Sequence, residues 1–487
     1  MRDDQIRERL RDQNPWWRAA ITGSDASAWQ AVDATLRGRA PLDLGYRSGL
    51  LDDVASGPID DKLVVVRGPR RVGKSVLVKD TAAALCRRRD VDPRQVIYLP
   101  CDAMRAHDLN RVQKLARDLT QSVDPAPRVW LLDEVTGIKG WTEALKYLRD
   151  NTLLSGDTVV CTGSSWDTDA EAERDLYAGR AGTSSSDRDR LLLPMSFRDY
   201  LQAWGESIPL DPPVPVWDLQ GDAARTVLGR LELFSDDLDL RWQSFLTSGG
   251  YPRAVAEYRR TGIVSDAFLH DLGAWLHRDV DPNSPDDSVP TLIEELQARS
   301  VSPLDLTDLA NALGFARRET AELRVTRLVR SFAAVECFQV DGHGRRVPRT
   351  REKLYLVDPL LAWIPPRLRS GAADPDLTHL NEAAIGIGLA RTIDRLQPGR
   401  WRARDTVGYL RTTGLNEIDF APVAVPSAHS PMLTTPIEAK WVTANWRQAA
   451  KSIEGRFGLG IMATRSVLDT AHPAWAVPAP MLSLLME

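Results

Sequence analysis

Only four cysteines, Cys86, Cys101, Cys161 and Cys337, occur in 487 residues, and no two of them form a CxxC pair. That scarcity excludes a disulfide framework and a thiolate metal cage, and it fits free thiols in a reducing compartment. The seven histidines are isolated from one another, so no metal-ligand spacing is present. Long apolar runs are missing as well: nothing approaches the roughly 18 residues of a membrane span. The start, Met1-Arg2-Asp3-Asp4, lacks the apolar core of a signal peptide. A cytoplasmic chain with no membrane partner is expected. Strong charge of one sign is absent too, because a net charge of −5 carries no global basic field, and any nucleic-acid surface must be local. No internal repeat occurs. The fifteen tryptophans are dispersed, as core and helix-anchoring aromatics would be.

What is present begins at Gly68. Gly68-Pro69-Arg70-Arg71-Val72-Gly73-Lys74-Ser75 is a complete GxxxxGK[ST] loop, launched from the apolar run Leu63 to Val66 and followed by an amphipathic stretch from Val76 to Arg88. Glycines at the first and sixth positions permit backbone conformations that turn amide N–H groups onto phosphate oxygens, and the following helix N-terminus favours the anion. Residues Gly68 to Val76 are therefore expected to contact a nucleoside triphosphate. Lys74 would reach its β- and γ-phosphates, and the Ser75 hydroxyl would ligate Mg²⁺.

A length prior of about 150 residues per domain suggests roughly three units. Pro- and Asp-rich breaks at Asp211 to Pro215, Asp281 to Pro290 and Pro365 to Pro375 divide the chain further. The first segment, 1–210, alternates short β-rich runs (Leu63 to Val66, Val96 to Pro100, Val129 to Leu132, Thr158 to Cys161) with helical patterns. The expected fold class is α/β, a P-loop NTPase parallel sheet. Residues 211–290 read as a helical lid. Residues 291–370 carry the pattern of a winged helix, and 371–487 is a small mixed α/β domain.

Binding becomes hydrolysis only with a carboxylate on a neighbouring strand. Val129-Trp130-Leu131-Leu132-Asp133-Glu134 supplies two: Asp133 to hold Mg²⁺ and Glu134 to deprotonate the attacking water. The run Val159 to Cys161 ends in Thr162-Gly163-Ser164-Ser165, where a hydroxyl such as that of Ser164 could sense the γ-phosphate or simply close a turn. Arg180, after Tyr177-Ala178-Gly179, is the candidate charge-neutralising arginine, with an exposed loop arginine as the alternative.

Those motifs, with Leu193 to Tyr200 and Gly249-Gly250-Tyr251-Pro252, resemble the prokaryotic AAA-superfamily ATPases that carry a C-terminal domain of unknown function, relatives of the archaeal and STAND-type ATPases. The resemblance spans nearly the whole chain. It implies an ATP-binding core, a helical lid and a winged helix, and it implies that Gly250 and Pro252 lie near the nucleotide. The polar stretch Ala181 to Arg190 departs from the pattern.

Toward the C-terminus stand Glu417-Ile418-Asp419-Phe420 and then Pro436-Ile437-Glu438-Ala439-Lys440. Glu438 and Lys440, two apart on a strand, share a face, and a hairpin partner can bring Asp419 beside them. Glu382, early in a helix, would be an additional acid. The ordered set Glu382, Asp419, Glu438 and Lys440 resembles the PD-(D/E)xK nuclease fold, in which two carboxylates (here Asp419 and Glu438) hold Mg²⁺ and a lysine assists water. A solvated surface pair is the competing reading of the Glu-x-Lys alone. Arg345, Arg346, Arg349, Arg351 and Lys353 gather in the hairpin that would form the wing, where they could grip phosphates.

The leading expectation is a Mg²⁺-dependent AAA-type ATPase coupled to a nuclease-like domain that works on DNA. The alternative is a nucleotide-gated binding switch with a catalytically silent C-terminal module. A chaperone-like motor is the third reading. The partners are ATP and DNA, and the reading admits further copies of the chain.

Overall fold

The computed structural model describes residues 1–164, 189–285, 287–411, 417–428 and 430–487. They form two compact units, Met1–Leu192 and Leu193–Glu487. Among the described residues no helix is long and apolar enough to cross a membrane.

In the first unit, β1 (Lys62–Arg67), β2 (Val96–Pro100), β3 (Val129–Asp133), β4 (Thr158–Gly163) and β5 (Asp189–Leu191) make one parallel sheet in the order β2-β3-β4-β1-β5. The strands are near-continuous apolar runs because helices cover both faces, and Val64, Val65 and Val66 are fully buried. The insertion of β4 between β1 and β3 decides where chemistry can occur. Crossover helices return the chain so that every strand ends on the same side, and the ends of β1, β3 and β4 therefore open onto one crevice.

The sheet's β2 edge would expose unpaired backbone groups, a liability that the N-terminal segment removes. Asn14 behaves as a one-residue strand: its Nδ2 donates to the Tyr98 carbonyl (2.9 Å) and its Oδ1 accepts from the Tyr98 N–H (2.7 Å). The indole N–H groups of Trp16 and Trp17 both donate to the Val96 carbonyl at 2.9 Å, and Arg9 donates to the Pro100 carbonyl at 2.6 Å. The rings of Trp16 and Trp17 are buried. The segment Asn14-Pro15-Trp16-Trp17, which sequence patterning leaves without a role, is thus an edge cover.

The second unit begins with helices Phe197–Trp204, Asp222–Leu231, Ser235–Ser248, Pro252–Thr261, Asp266–Val280 and Ser288–Ala298. Two further helices, Leu306–Ala312 and Arg318–Arg330, flank Gly314, whose φ of +67° makes the turn. An antiparallel pair follows, β6 (Ala334–Gln339) and β7 (Lys353–Leu356). Its β6 also pairs in parallel with β8 (Val407–Arg411). The hairpin is therefore one end of a seven-stranded sheet that continues through β9 (Glu417–Ala421), β12 (Ile437–Ala439), β13 (Gly460–Thr464) and β14 (Ala474–Pro478), in the order β14-β13-β12-β9-β8-β6-β7. A small ribbon of β10 (Ala424–Val425) and β11 (Met432–Leu433) leads into β12. The long helix Leu377–Leu396 lies on this sheet, and Gly386 permits the approach: a Cβ there would stand 2.7 Å from the Phe420 ring.

Candidate nucleotide site

The loop after β1 has the backbone its glycines predict. Gly73 has φ +100° and hands the chain to the helix Lys74–Arg87, while a Cβ on Gly68 would fall 1.8 Å from the Leu192 carbonyl oxygen. Between them lie Pro69, Arg70, Arg71 (φ +68°) and the buried Val72. Lys74 is buried, and its ammonium donates to the carbonyls of Gly68 and Pro69, each at 2.9 Å. It also stands 3.8 Å from Glu134 Oε1. Ser75 and Val76 open the helix and are partly exposed. Such a loop, with a helix N-terminus behind it and a lysine held inside it, fits a polyphosphate.

Asp133 ends β3 and is buried. Each of its oxygens accepts a hydroxyl: Thr162 Oγ1 donates to Oδ1 at 2.6 Å, and Tyr98 Oη donates to Oδ2 at 3.1 Å. A carboxylate oriented in this way fits the role of holding a hydrated divalent cation. Burial first, and then the Asp133 charge, push the Tyr98 phenol well above its usual pKa, so it stays a donor. Glu134 is held more loosely. It is partly exposed, it adopts the left-handed conformation (φ 55°, ψ 32°), and Ser164 Oγ donates to its Oε2 at 3.2 Å. Its N–H donates to Thr162 Oγ1 at 2.8 Å. Thr162 thereby ties the two acids together, and Gly163 leaves no alternative residue there, since a Cβ would meet Thr136 Oγ1 at 1.7 Å. The left-handed backbone of Glu134 costs about 1–3 kcal/mol and is tolerated where the surroundings over-determine it. Tyr98 does not stand out in sequence, because its partners are distant in the chain and a hydroxyl on a buried strand looks like ordinary core; Thr162 falls in the hydroxyl-bearing turn that the sequence marks, but its tie to the two acids does not show there. Arg180 lies outside the described residues.

Gly250 and Pro252 belong to the second unit. The Gly250 N–H donates to Asp358 Oδ2 at 2.7 Å, its carbonyl accepts from the Met195 N–H at 2.7 Å, and Pro252 starts the helix Pro252–Thr261. The same Asp358 accepts the Leu360 N–H, so it brackets the Gly249-Gly250 turn.

The C-terminal set also converges, with one unexpected member. Glu382 projects from the helix one turn before Gly386, on the face toward the sheet. Asp419 and Glu438, on neighbouring antiparallel strands, interlock with each other's backbones: the Asp419 N–H donates to Glu438 Oε2 (3.2 Å) and the Ala439 N–H to Asp419 Oδ2 (3.0 Å). Lys440 lies 2.9 Å from Glu438 Oε1. In the middle sits Lys353, with a fully buried side chain, 3.1 Å from Glu382, 3.1 Å from Asp419 and 2.6 Å from Glu417. Tyr355, two residues on and on the same face of β7, donates to Glu382 at 2.7 Å.

Lys353 is therefore not one of the phosphate-gripping cations expected of the hairpin, because strand alternation turns it inward. Around it, Arg346 pairs with Glu352 and Arg351 with Asp305. Burial opposes the charge on Lys353, but the carboxylates, Asp419 foremost, overcome that and hold its pKa well above the ordinary value. Burial and the charge on Asp419 raise both Glu382 and Glu438. Among the described residues no group of three or more His, Cys, Asp or Glu side chains is arranged to hold a metal. Against the expected metal role of Asp419 and Glu438 stand the Lys353 ammonium on Asp419, Lys440 on Glu438, and the strand amides that take one oxygen of each acid.

Comparison with known proteins follows the same division. Residues 60–201 match the AAA domain family, which takes in all five strands of the first sheet. Residues 240–364 match a domain of unknown function (DUF8612). The first sheet thus belongs to an AAA-type ATPase domain, a class that binds and hydrolyses nucleoside triphosphates. No curated protein matches the chain. Among solved structures, a Walker-type ATPase of Pyrococcus abyssi is similar at 16% identity and a TM-score of 0.38, covering 67% of this chain and 95% of that one. The ORC1 protein of Aeropyrum pernix in complex with DNA is 12% identical, with a TM-score of 0.26 over 73% of this chain and 95% of its own. A DNA polymerase III gamma subunit-related protein of Thermotoga maritima is also 12% identical, with a TM-score of 0.23 over 58% and 100%. At such scores these likenesses carry no argument about function.

Proposed function

We propose that this chain is a Mg²⁺-dependent ATPase whose second unit is a binding module switched by the nucleotide. One observation carries the reading: Lys74, Asp133, Glu134, Thr162 and Ser164 meet at the ends of three adjacent parallel strands. Lys74 leaves the Gly68 and Pro69 carbonyls for the β- and γ-phosphates, and loop amides between Gly68 and Ser75 orient the chain of phosphates. Ser75 and Asp133 would hold Mg²⁺, which when bound neutralises charge on the transferring phosphoryl group. A carboxylate oxygen of Glu134 accepts the proton of the attacking water. Arg180 remains the proposed charge-neutralising arginine, and Gly250 and Pro252 remain proposed nucleotide-side residues.

For the C-terminal cluster, the central ammonium of Lys353 favours a catalytically silent module over a metal-dependent nuclease. The nuclease-like reading predicts metal-dependent DNA cleavage that Lys440→Ala abolishes. The silent module predicts no cleavage with Mg²⁺ or Mn²⁺ under any nucleotide condition. The ATPase reading is tested by phosphate release from the wild type and from Lys74→Ala. Turnover in the wild type and its loss in the variant are expected, and equal turnover in both would refute the assignment.

A further inference from the structure

The N-terminal cover and the catalytic acid share one residue. Tyr98 is fixed at its backbone by Asn14, on the outer side of β2, while its hydroxyl reaches across to Asp133 on β3. Asn14 is itself buried and immobilised, because its Nδ2 also donates to the Leu10 carbonyl at 2.7 Å, at the end of the helix Asp3–Gln13. The Tyr98 ring is held from another side by Lys79, whose ammonium lies 5.3 Å from the ring centroid. Lys79 is in turn tied to Asp33 (2.7 Å) and Thr35 (3.0 Å) of the N-terminal segment. Two independent tethers from residues 1–35 therefore converge on one phenol, and that phenol makes one of the two hydroxyl contacts that orient Asp133.

We propose that Tyr98 is a positioning residue for the Mg²⁺-holding carboxylate of Asp133, and that the N-terminal segment acts on the nucleotide site through it, with Asn14 as the connecting side chain. This rests on the ATPase reading of the first unit. The hydroxyl is the part that matters: a purely structural tyrosine would need only its ring, whereas this one donates to an acid whose orientation decides where the cation sits. Hydrogen-bond partners behind a metal ligand typically carry factors of about 10 to 100 in metal affinity or activity. Thr162 still holds the other oxygen in this case, so the lower end of that range applies.

The experiment uses the full chain with Tyr98→Phe, which keeps the ring and its packing. Three quantities are read: ATP turnover, nucleotide affinity in EDTA, and Mn²⁺ affinity in the presence of a non-hydrolysable ATP analogue, followed by the electron paramagnetic resonance of free Mn²⁺. We expect turnover to fall about tenfold and the Mn²⁺ dissociation constant to rise by a similar factor, with nucleotide affinity in EDTA unchanged. Unchanged turnover and Mn²⁺ affinity would overturn the proposal, even if the melting temperature fell, because the hydroxyl would then be structural only. Asn14→Ala should move both quantities in the same direction and add nothing to Tyr98→Phe in the double variant. Fully additive losses would overturn the route through Asn14. A wild type that binds no nucleotide would refute the ATPase reading itself, which is a different result from a nucleotide-binding wild type indifferent to Tyr98→Phe.

Discussion

Replacing Lys353 by methionine keeps most of the side-chain volume and removes only the charge at the centre of the C-terminal acids. Glu382 and Asp419 are both nearly buried and each lies 3.1 Å from the ammonium, whereas Glu417 is partly exposed and is screened by solvent. Breaking a buried ion pair from one side costs about 3–5 kcal/mol, a large part of the 5–15 kcal/mol that holds a typical domain together. Urea unfolding read by hydrogen exchange in peptides of the helix Leu377–Leu396 reports on the second unit directly. The loss should be larger at pH 8 than at pH 6. Glu382 already binds its proton more tightly in the folded protein than a free glutamate does, so without Lys353 it is neutralised more readily as pH falls, and the penalty shrinks. The variant should also gain what the wild type lacks, an uncompensated acidic site that a divalent ion can fill. At a fifty-fold excess over its dissociation constant, Mn²⁺ would restore about 2 kcal/mol. A variant within 1 kcal/mol of wild type at pH 8 would refute the counter-ion argument. So would a wild type stabilised by Mn²⁺ at this cluster, and that result would return the nuclease-like reading.

Two further outcomes follow from the Gly249-Gly250 turn. Burial raises Asp358 to a pKa of about 6, against the lowering effect of the Gly250 and Leu360 amides. Between about pH 4 and 6 the folded state therefore holds a proton that the unfolded state releases, and unfolding free energy falls as pH rises through that window, by roughly 3 kcal/mol in all. Asp358→Asn should flatten this slope in urea titrations of the second unit, and an unchanged slope would assign it to other groups. Gly249→Ala should destabilise the second unit by about 2–4 kcal/mol. Its backbone sits at φ +64°, and the new Cβ would lie 1.9 Å from Asp358 Oδ1, so a shift under 0.5 kcal/mol in urea would show that the turn relaxes freely.

What could be read from the sequence divides by the range of the contacts. Gly68 to Ser75 is legible because every group that makes the loop is contiguous, and Asp133-Glu134 because two adjacent acids close an apolar strand run downstream of that loop. The parallel sheet follows from runs buried on both faces. Tyr98 escaped because nothing local distinguishes it: its hydroxyl partner is 35 residues away and its backbone partner 84. Lys353 was hidden by its neighbours. Counted with Arg345, Arg346, Arg349 and Arg351 it looks like one more exposed cation, yet Lys353-Leu354-Tyr355-Leu356 carries the signal that places it. A strand this short, with two polar residues at alternate positions between leucines, puts Lys353 and Tyr355 on one face, where an acid such as Glu382 can receive both.

The two sites can be compared by how firmly each carboxylate is held. Asp133 is buried and takes a hydroxyl on each oxygen, as suits a group that must stay in place while a cation comes and goes. Glu134 is partly exposed and has one hydroxyl at 3.2 Å and a lysine at 3.8 Å, both long contacts that a base moving toward water can give up at small cost. Lys74 donates to loop carbonyls, which phosphates can replace. The C-terminal acids show the opposite pattern. Lys353 bridges two of them, strand amides hold Asp419 and Glu438 in register, and Lys440 lies against Glu438. A reaction there would have to break several charge-assisted contacts at once in a buried setting, each worth more than a neutral hydrogen bond. The loosely held glutamate beside the firmly held aspartate supports the chemistry proposed for the first unit, and the network of ion pairs supports the structural role proposed for the acids of the second.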